Sequence, residues 1–109
     1  MYGTIMRARL KPGMRAEYER LLREEVPSAE EYGNGMHSVE LAFEESDPDR
    51  LVAIVHFEDR ESYLANAARP ETEGAYRRQL DLFDGEPEWI DVAFGQYVGR
   101  PLTDTVGTA

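Results

Sequence analysis

The sequence predicts a single α+β domain in which a small antiparallel sheet carries its helices on one face. Residues 51–57 form a short, nearly unbroken apolar run, typical of a strand that is covered on both faces. Two further stretches, 2–10 and 36–44, alternate between apolar and polar residues with the period of a strand. The segments that follow the first strand and the apolar run place their apolar residues at helical spacing instead.

The first strand is predicted over residues 2–10, with the even-numbered side chains on one face and Gly3, Ile5, Arg7 and Arg9 on the other. Lys11-Pro12-Gly13 ends it, because proline cannot donate to a ladder and glycine allows the turn. A surface helix of roughly three to four turns follows and should end near Pro27. Its apolar stripe consists of Met14, Tyr18, Leu21, Leu22 and Val26.

A polar loop containing Gly33-Asn34-Gly35 leads into the second strand, over residues 36–44. His37, Val39, Leu41 and Phe43 should share one face of this strand, and Ser38, Glu40, Ala42 and Glu44 the other. The turn at 45–50 contains two aspartates and a proline. The second strand and the run 51–57 are therefore predicted to form a hairpin.

Asp59 offers its carboxylate as the N-cap of a second helix. Pro70 interrupts that helix and fits better in the first turn of a new helical segment, which carries Tyr76, Leu80 and Phe83. Residues 88–98 are predicted as the longest strand, with large apolar side chains on both faces. The tail has little to bury, so we divide the chain into a domain at 1–99 and a C-terminal arm, or disordered segment, at 100–109.

The order strand, helix, strand, strand, helix, strand gives two right-handed βαβ crossovers on one sheet, which is the ferredoxin-like βαββαβ split fold. The strands with apolar groups on both faces need cover on the side without helices. A second copy of the chain would supply it, so the sequence predicts a homodimer in the form of a dimeric α+β barrel.

Composition narrows the possible partners. The net charge of −10 repels phosphate backbones and anionic lipid head groups, so we expect neither nucleic acid nor a membrane as a partner. The absence of cysteine excludes a disulfide, a thiol nucleophile and a thiolate metal site. The N-terminus lacks the layout of a signal peptide, and no apolar stretch approaches the roughly 20 residues that span a bilayer. We therefore expect a cytoplasmic protein.

Three segments, Met6–Gly13, Gly35–Leu41 and Val55–Leu64, resemble the antibiotic biosynthesis monooxygenase (ABM) domains, members of the dimeric α+β barrel superfamily. The similarity extends from about Tyr2 to Val98. It implies a homodimer with an apolar pocket between helices and sheet in each subunit. In the best-known members this pocket oxidises an aromatic or polyketide-like substrate with molecular oxygen, without metal, flavin or haem. The alternative is a non-catalytic ligand-binding or interaction module of the same fold.

A haem-degrading branch of the family resembles this chain in architecture. It uses an asparagine on the first strand, with a tryptophan and a histidine in the second helical region. These positions fall on Met6, Asn66 and Tyr76 in this chain, and none of the three matches. Without the histidine there is no evident axial ligand for haem, so the resemblance to this branch is limited to architecture.

His56 and Asn66 are the expected catalytic residues. His56 is either a hydrogen-bonded core or interface histidine or a base poised near neutrality that removes a phenolic or enolic proton. Asn66 lies one helical turn after Tyr63, roughly where a pocket would open. It either hydrogen-bonds a substrate oxygen or weakens the helix before Pro70.

Tyr76, Trp89 and Arg7 are the expected substrate-binding residues. The two aromatic side chains either wall an aromatic pocket or pack in the core. Arg7 shares a strand face with Arg9, where the arginines either pair with Glu40 or Asp91 or hold the anion of an enolate. No spacing of histidine, aspartate and glutamate suits a metal ion, so no metal site is expected.

Overall fold

The computed structural model describes residues 1–26 and 35–100. Their elements are, in chain order, β1 (Tyr2–Arg9), α1 (Arg15–Glu25), β2 (Met36–Phe43), β3 (Arg50–Phe57), α2 (Arg60–Ala67), α3 (Pro70–Leu80) and β4 (Glu88–Ala93). The predicted polar loop up to residue 34 and the tail from 101 lie outside the described residues. The division into a domain and a C-terminal arm therefore stays a prediction.

The strands form one four-stranded antiparallel sheet in the order β2-β3-β1-β4. The two crossovers each return to a strand parallel to the one they left, because β1 and β2 both run antiparallel to β3, and β3 and β4 both run antiparallel to β1. Ile5 in β1 lies opposite Ile54 in β3 and Ile90 in β4. The α+β, ferredoxin-like fold predicted from the element order is confirmed.

The core lies between the sheet and the helices. Met6 and Leu10 from the β1 segment and Leu51 from β3 are almost completely buried there. Tyr18 of α1 is only 1% exposed, and its ring lies 5.6 Å from that of Phe83. Its hydroxyl donates to Oε1 of Gln79 at 3.1 Å. Burial raises the pKa of Tyr18, which keeps the phenol neutral against the apolar core.

The predicted cap at the start of α2 is confirmed. Oδ1 of Asp59 accepts a hydrogen bond from the backbone N–H of Ser62 at 2.7 Å, and this bond lowers the pKa of Asp59. The predicted break before Pro70 is also present, because α2 ends at Ala67 and Pro70 occupies the first turn of α3. The second helical region is therefore two short helices rather than one long one.

The last strand is shorter than predicted. β4 ends at Ala93, after six residues, whereas each of the other three strands has eight. Among the described strands its neighbour is β1, and Ala93 already lies opposite Tyr2, the first residue of that strand. The backbone N–H of Phe94 donates one more hydrogen bond, to the carbonyl of Met1. Beyond that point β1 has no further residues with which the chain could pair. The prediction that this strand continues to Val98 is therefore wrong, because alternating apolar residues do not form a strand without a neighbouring strand to pair with. Tyr97 and Val98 are exposed.

The face prediction for β2 fails at its first residues. Met36 lies opposite Phe57 and Ser38 opposite His56, so the register shifts between them and His37 is the extra residue of a β-bulge. His37 is consequently exposed and does not continue the face of Val39. From Ser38 onward the predicted faces are correct.

The side of the sheet opposite the helices, here called the helix-free face, is apolar at its centre. The central side chains are those of Ile5, Val52, Ile54, Ile90 and Val92. Ile90 is 48% exposed, and the others are half-buried. In the described part of the chain no helix packs on this face. The central strands therefore carry apolar side chains on both faces, as predicted, and the chain's own described helices cover only one of them.

Candidate functional site

A cavity of about 690 Å³ lies between the helices and the helix-bearing face of the sheet. Its floor is formed by side chains of the sheet, among them Thr4, Met6, Val39, Ala53, Val55 and Phe57. Its walls come from the helices and from β4, and include Tyr18, Leu22, Tyr63, Asn66, Tyr76, Gln79 and Trp89. A cavity of this size and lining suits a small molecule that is mostly apolar with a few polar groups.

Asn66 lies where the sequence predicted, at the wall of the cavity near the end of α2. It is 9% exposed, and its Oδ1 accepts a hydrogen bond from the hydroxyl of Thr72 in α3 at 3.4 Å. Its backbone carbonyl accepts from the N–H of Arg69 at 3.2 Å. Asn66 therefore bridges the break between α2 and α3 while presenting a polar group to the cavity, so the two interpretations left open by the sequence are compatible.

Tyr76 and Trp89 meet at another part of the cavity wall. Their rings lie 5.7 Å apart in an edge-on arrangement, and Nε1–H of Trp89 donates to the hydroxyl of Tyr76 at 3.3 Å. Trp89 is 44% exposed, so it is a wall residue rather than a core residue. This bond orients the tyrosine hydroxyl, and the pair offers an aromatic surface to a flat ligand.

The sequence reasoning missed a pair at the cavity, Tyr63 and Asp91. The Tyr63 hydroxyl donates to Oδ1 of Asp91 at 2.9 Å. Burial, followed by this bond to a carboxylate, raises the pKa of Tyr63. The sequence did contain a sign that both residues face the cavity. Tyr63 precedes Asn66 by one helical turn, and Asp91 shares a strand face with Trp89.

His56 and Arg7 are not part of this cavity, because both project from the helix-free face. The His56 ring stacks on Phe94 at a centroid distance of 4.2 Å. Desolvation, followed by the charge of His37, lowers the pKa of His56, so the imidazole is neutral near pH 7. The structure thus brings Asn66, Tyr76 and Trp89 together and places the other two expected site residues on the opposite side of the sheet.

Within the chain, Arg7 and Arg9 do not pair with Asp91, because Asp91 lies on the helix-bearing face and the two arginines lie on the helix-free face. Arg9 instead pairs with Asp47 at 2.9 Å. Arg7 is exposed and borders a separate polar cleft of about 290 Å³ that also contains Arg9, Arg50 and several carboxylates.

The charged residues that line the cavity are mostly acidic. Glu25 at the end of α1 makes a bidentate ion pair with Arg78 of α3, with distances of 2.5 and 2.7 Å. This pair lowers the pKa of Glu25 and ties the two helices together beside the cavity. Arg69 is the cation among the lining residues, and it pairs with Glu71 at 3.4 Å. The cavity therefore presents no uncompensated positive charge from the described residues.

Residues 1–26 and 35–100 contain no group of three or more histidine, aspartate or glutamate side chains that could hold a metal ion. No helix within these ranges combines the length and the apolar character that crossing a bilayer requires.

The fold and the cavity define a small α+β domain with an open cavity between its helices and its sheet. The family model described as antibiotic biosynthesis monooxygenase matches residues 1–78, and the chain belongs to this family. The match runs from β1 into α3, so it includes Tyr63, Asn66 and Tyr76.

Several solved structures have the same fold as this chain. One is an asparagine-to-alanine variant of SnoaB, a cofactor-independent oxygenase from Streptomyces nogalater, with a TM-score of 0.76 and 16% identity over 91% of this chain and 97% of that one. Rv0793 from Mycobacterium tuberculosis has a TM-score of 0.71 and 15% identity, covering 90% and 98%. A conserved protein from Methanosarcina mazei Go1 has a TM-score of 0.72 and 14% identity, covering 84% and 89%. No curated protein sequence matches.

Proposed function

We propose that this protein is a cofactor-independent monooxygenase that acts, as a homodimer, on a neutral hydroxylated aromatic or polyketide-like molecule. The observation that carries the proposal is the cavity of about 690 Å³, which has an apolar floor and the polar groups of Tyr63, Asn66 and Tyr76 at its wall. The family assignment and the fold shared with the oxygenase SnoaB support the same reaction class.

The reaction needs a substrate that can supply its own electrons. An anthrone-like compound loses a proton to give an enolate, which passes electrons to molecular oxygen. One oxygen atom becomes the new carbonyl and the other leaves as water, so that a methylene group and O₂ give a ketone and H₂O. The protein's part is to hold the ring system, favour the enolate and exclude bulk water.

The cavity residues fit these tasks. Tyr76 and Trp89 would contact the faces or edges of the ring system. The carboxamide of Asn66 would hydrogen-bond the enolate oxygen, where charge develops during the reaction. Because the lining Arg69 and the lining glutamates are already held in ion pairs, the described part of the cavity offers no free cation to a substrate carboxylate, and this favours a neutral substrate.

A non-catalytic ligand-binding module is the second candidate, and the position of His56 favours it. The one imidazole that the sequence offered as a base is on the other side of the sheet. A module of this kind would bind the same class of ligand and release it unchanged.

Turnover separates the two candidates. We expect aerobic conversion of a hydroxyanthrone to the corresponding quinone, followed by oxygen consumption and quinone absorbance. Asn66→Ala should lower kcat roughly a hundredfold, because removing one preorganised hydrogen-bonding group from a developing oxyanion typically costs this much. Binding would be followed separately by the fluorescence of Trp89, the single tryptophan of the chain.

His56→Ala is the matched comparison, since His56 does not line the cavity. It should retain the turnover of the unmodified protein. If His56→Ala lost turnover while remaining a dimer and Asn66→Ala did not, the assignment of the chemistry to the cavity would be wrong. Ligand binding without any oxygen consumption by the unmodified protein would support the module instead.

The helix-free face is the surface proposed for the homodimer. Its apolar centre is surrounded by polar side chains, which include Arg7, Glu40, His56 and Glu88. An apolar centre with a polar rim is the usual composition of a protein interface. A second copy related by twofold symmetry would cover the isoleucines and close the barrel.

Ile54→Glu should convert the dimer into a monomer at micromolar concentration, because it places two unpaired carboxylates at the centre of the apolar face. Leu64→Glu is the control, since Leu64 is 47% exposed on α2 and does not belong to the helix-free face. The molar mass of each would be measured by light scattering after gel filtration. A monomeric unmodified protein, or a dimer that survives Ile54→Glu but not Leu64→Glu, would contradict this interface.

A further inference from the structure

Deprotonation of the substrate needs a proton acceptor at the cavity, and the three described carboxylates that line it are each paired with an arginine. Glu25 is held by Arg78, and Glu73 accepts from Arg77 at 2.7 Å. Glu71 pairs with Arg69. A carboxylate held by a guanidinium is a weaker base, so these groups are poor acceptors for a phenolic or enolic proton.

Asp91 differs from these carboxylates because its hydrogen-bond partner in the described structure is a phenol. The Tyr63 hydroxyl, which lines the cavity, donates to its Oδ1 at 2.9 Å. Asp91 itself is exposed and makes no ion pair with the described arginines or lysine. The pair therefore connects the inside of the cavity to solvent through a single hydrogen bond.

We propose that Tyr63 and Asp91 form a proton relay that carries the acidic proton of the substrate from the cavity to solvent. The proposal rests on the monooxygenase function proposed above and adds the proton acceptor that it lacks. Tyr63 is the catalytic residue, because it contacts the bound substrate. Asp91 is a positioning residue that acts through Tyr63.

The transfer balances without a cofactor. The enolic hydroxyl of the substrate, in the tautomer in which the methylene group has already lost one hydrogen to the carbonyl oxygen, gives its proton to the Tyr63 oxygen as the proton of Tyr63 passes to Oδ1 of Asp91. The products are the substrate enolate, a neutral tyrosine and a protonated aspartic acid. Asp91 then releases the proton to water, because it is exposed.

The surroundings of Tyr63 suit a relay better than a free phenolate. Tyr2 and Phe57 hold its ring, with centroid distances of 5.4 and 5.3 Å. The raised pKa of Tyr63 keeps the phenol protonated, so it has a proton to pass on at the moment it receives one. Thr4, which is buried on the cavity floor, is another hydrogen-bonding neighbour of the Tyr63 oxygen.

The test is steady-state turnover of a hydroxyanthrone in air by Tyr63→Phe and Asp91→Asn. Each should lower kcat about a hundredfold, the usual size of general acid–base contributions, with KM changed by less than about threefold. Asp91→Glu, which keeps the carboxylate, should recover part of the rate. At a pH where the hydroxyanthrone is ionised before it binds, the rate of Asp91→Asn should approach that of the unmodified protein, because the relay is then unnecessary.

Glu61→Gln and Tyr97→Phe are the matched controls, since the exposed Glu61 lies in the first turn of α2, the helix that carries Tyr63, and the exposed Tyr97 lies beyond β4. Both should behave like the unmodified protein. A hundredfold loss in Asp91→Asn that persists at alkaline pH would indicate a structural role and overturn the relay. Unchanged kcat in Asp91→Asn would overturn the relay while leaving the monooxygenase function intact. Absence of turnover in the unmodified protein would contradict that function and the relay together.

Discussion

Phe57→Ala is expected to lower the free energy of unfolding by about 3–5 kcal/mol, the usual cost of truncating a buried phenylalanine. Phe57 is 2% exposed at the end of β3, where it forms part of the cavity floor and packs edge-on against Tyr63. Because the site already borders an open cavity, the neighbours cannot close the space left by the ring. The change should be measured by urea denaturation followed by circular dichroism.

Phe43→Ala is the control for this effect. Phe43 also ends a strand and is also on the helix-bearing side of the sheet, but it is half-buried in the edge strand and its ring contacts the guanidinium of Arg15 at 3.9 Å. Its truncation should cost less than that of Phe57, since Phe43 is only partly buried against the core. Equal losses from the two variants would show that the cavity floor is not part of the stabilising core.

Gly3→Ala should destabilise the protein by about 3 kcal/mol, although it adds a single methyl group. A Cβ at this position would lie 1.9 Å from the backbone oxygen of Val55 and 2.8 Å from the ring of Phe94. The first of these neighbours is backbone of the adjacent central strand, so β1 and β3 would have to separate. The ring of Phe94 would also lose its position over Gly3, and with it the stacking on His56.

Gly74→Ala, at a second glycine, is expected to stabilise the protein rather than destabilise it. Gly74 lies in the middle of α3, and a Cβ there would meet only the end of the Arg78 side chain, at an ordinary distance of 3.7 Å. Alanine should therefore stabilise the helix by roughly 0.5–1 kcal/mol, in line with the helix propensities of the two residues. Thermal melting of both variants would check the pair. Loss of stability in Gly74→Ala, or none in Gly3→Ala, would contradict the packing described here.

The fold was largely predictable because local signals determined it. The period of two in β1 and β2, the cap at Asp59 and the break at Pro70 each act within a few residues, and the structure confirms them. The end of β4 was not predictable in this way. It depends on where β1 begins, at Tyr2, which is about 90 residues away along the chain from the end of β4 at Ala93.

The candidate site was only partly predictable. Alternation shows that His56 and Phe57 occupy opposite faces of β3, but both faces are apolar, so the pattern does not reveal which one the helices cover. His56 was therefore grouped with Asn66, from which the sheet separates it. The bond between Tyr63 and Asp91 joins residues 28 positions apart and becomes visible only when α2 is packed on the sheet.

The irregular start of β2 has a consequence for how the molecule can associate. β2 is an outer strand, and the shift between Met36 and Ser38 interrupts the even spacing of its backbone groups. The opposite outer strand, β4, is short and is followed by a non-strand segment. Neither side is a good template for a neighbouring chain, because lateral growth needs a long, regular row of free N–H and C=O groups. The homodimer proposed above would use the broad surface of the sheet instead, where twofold symmetry would end the assembly at a closed pair rather than a fibre.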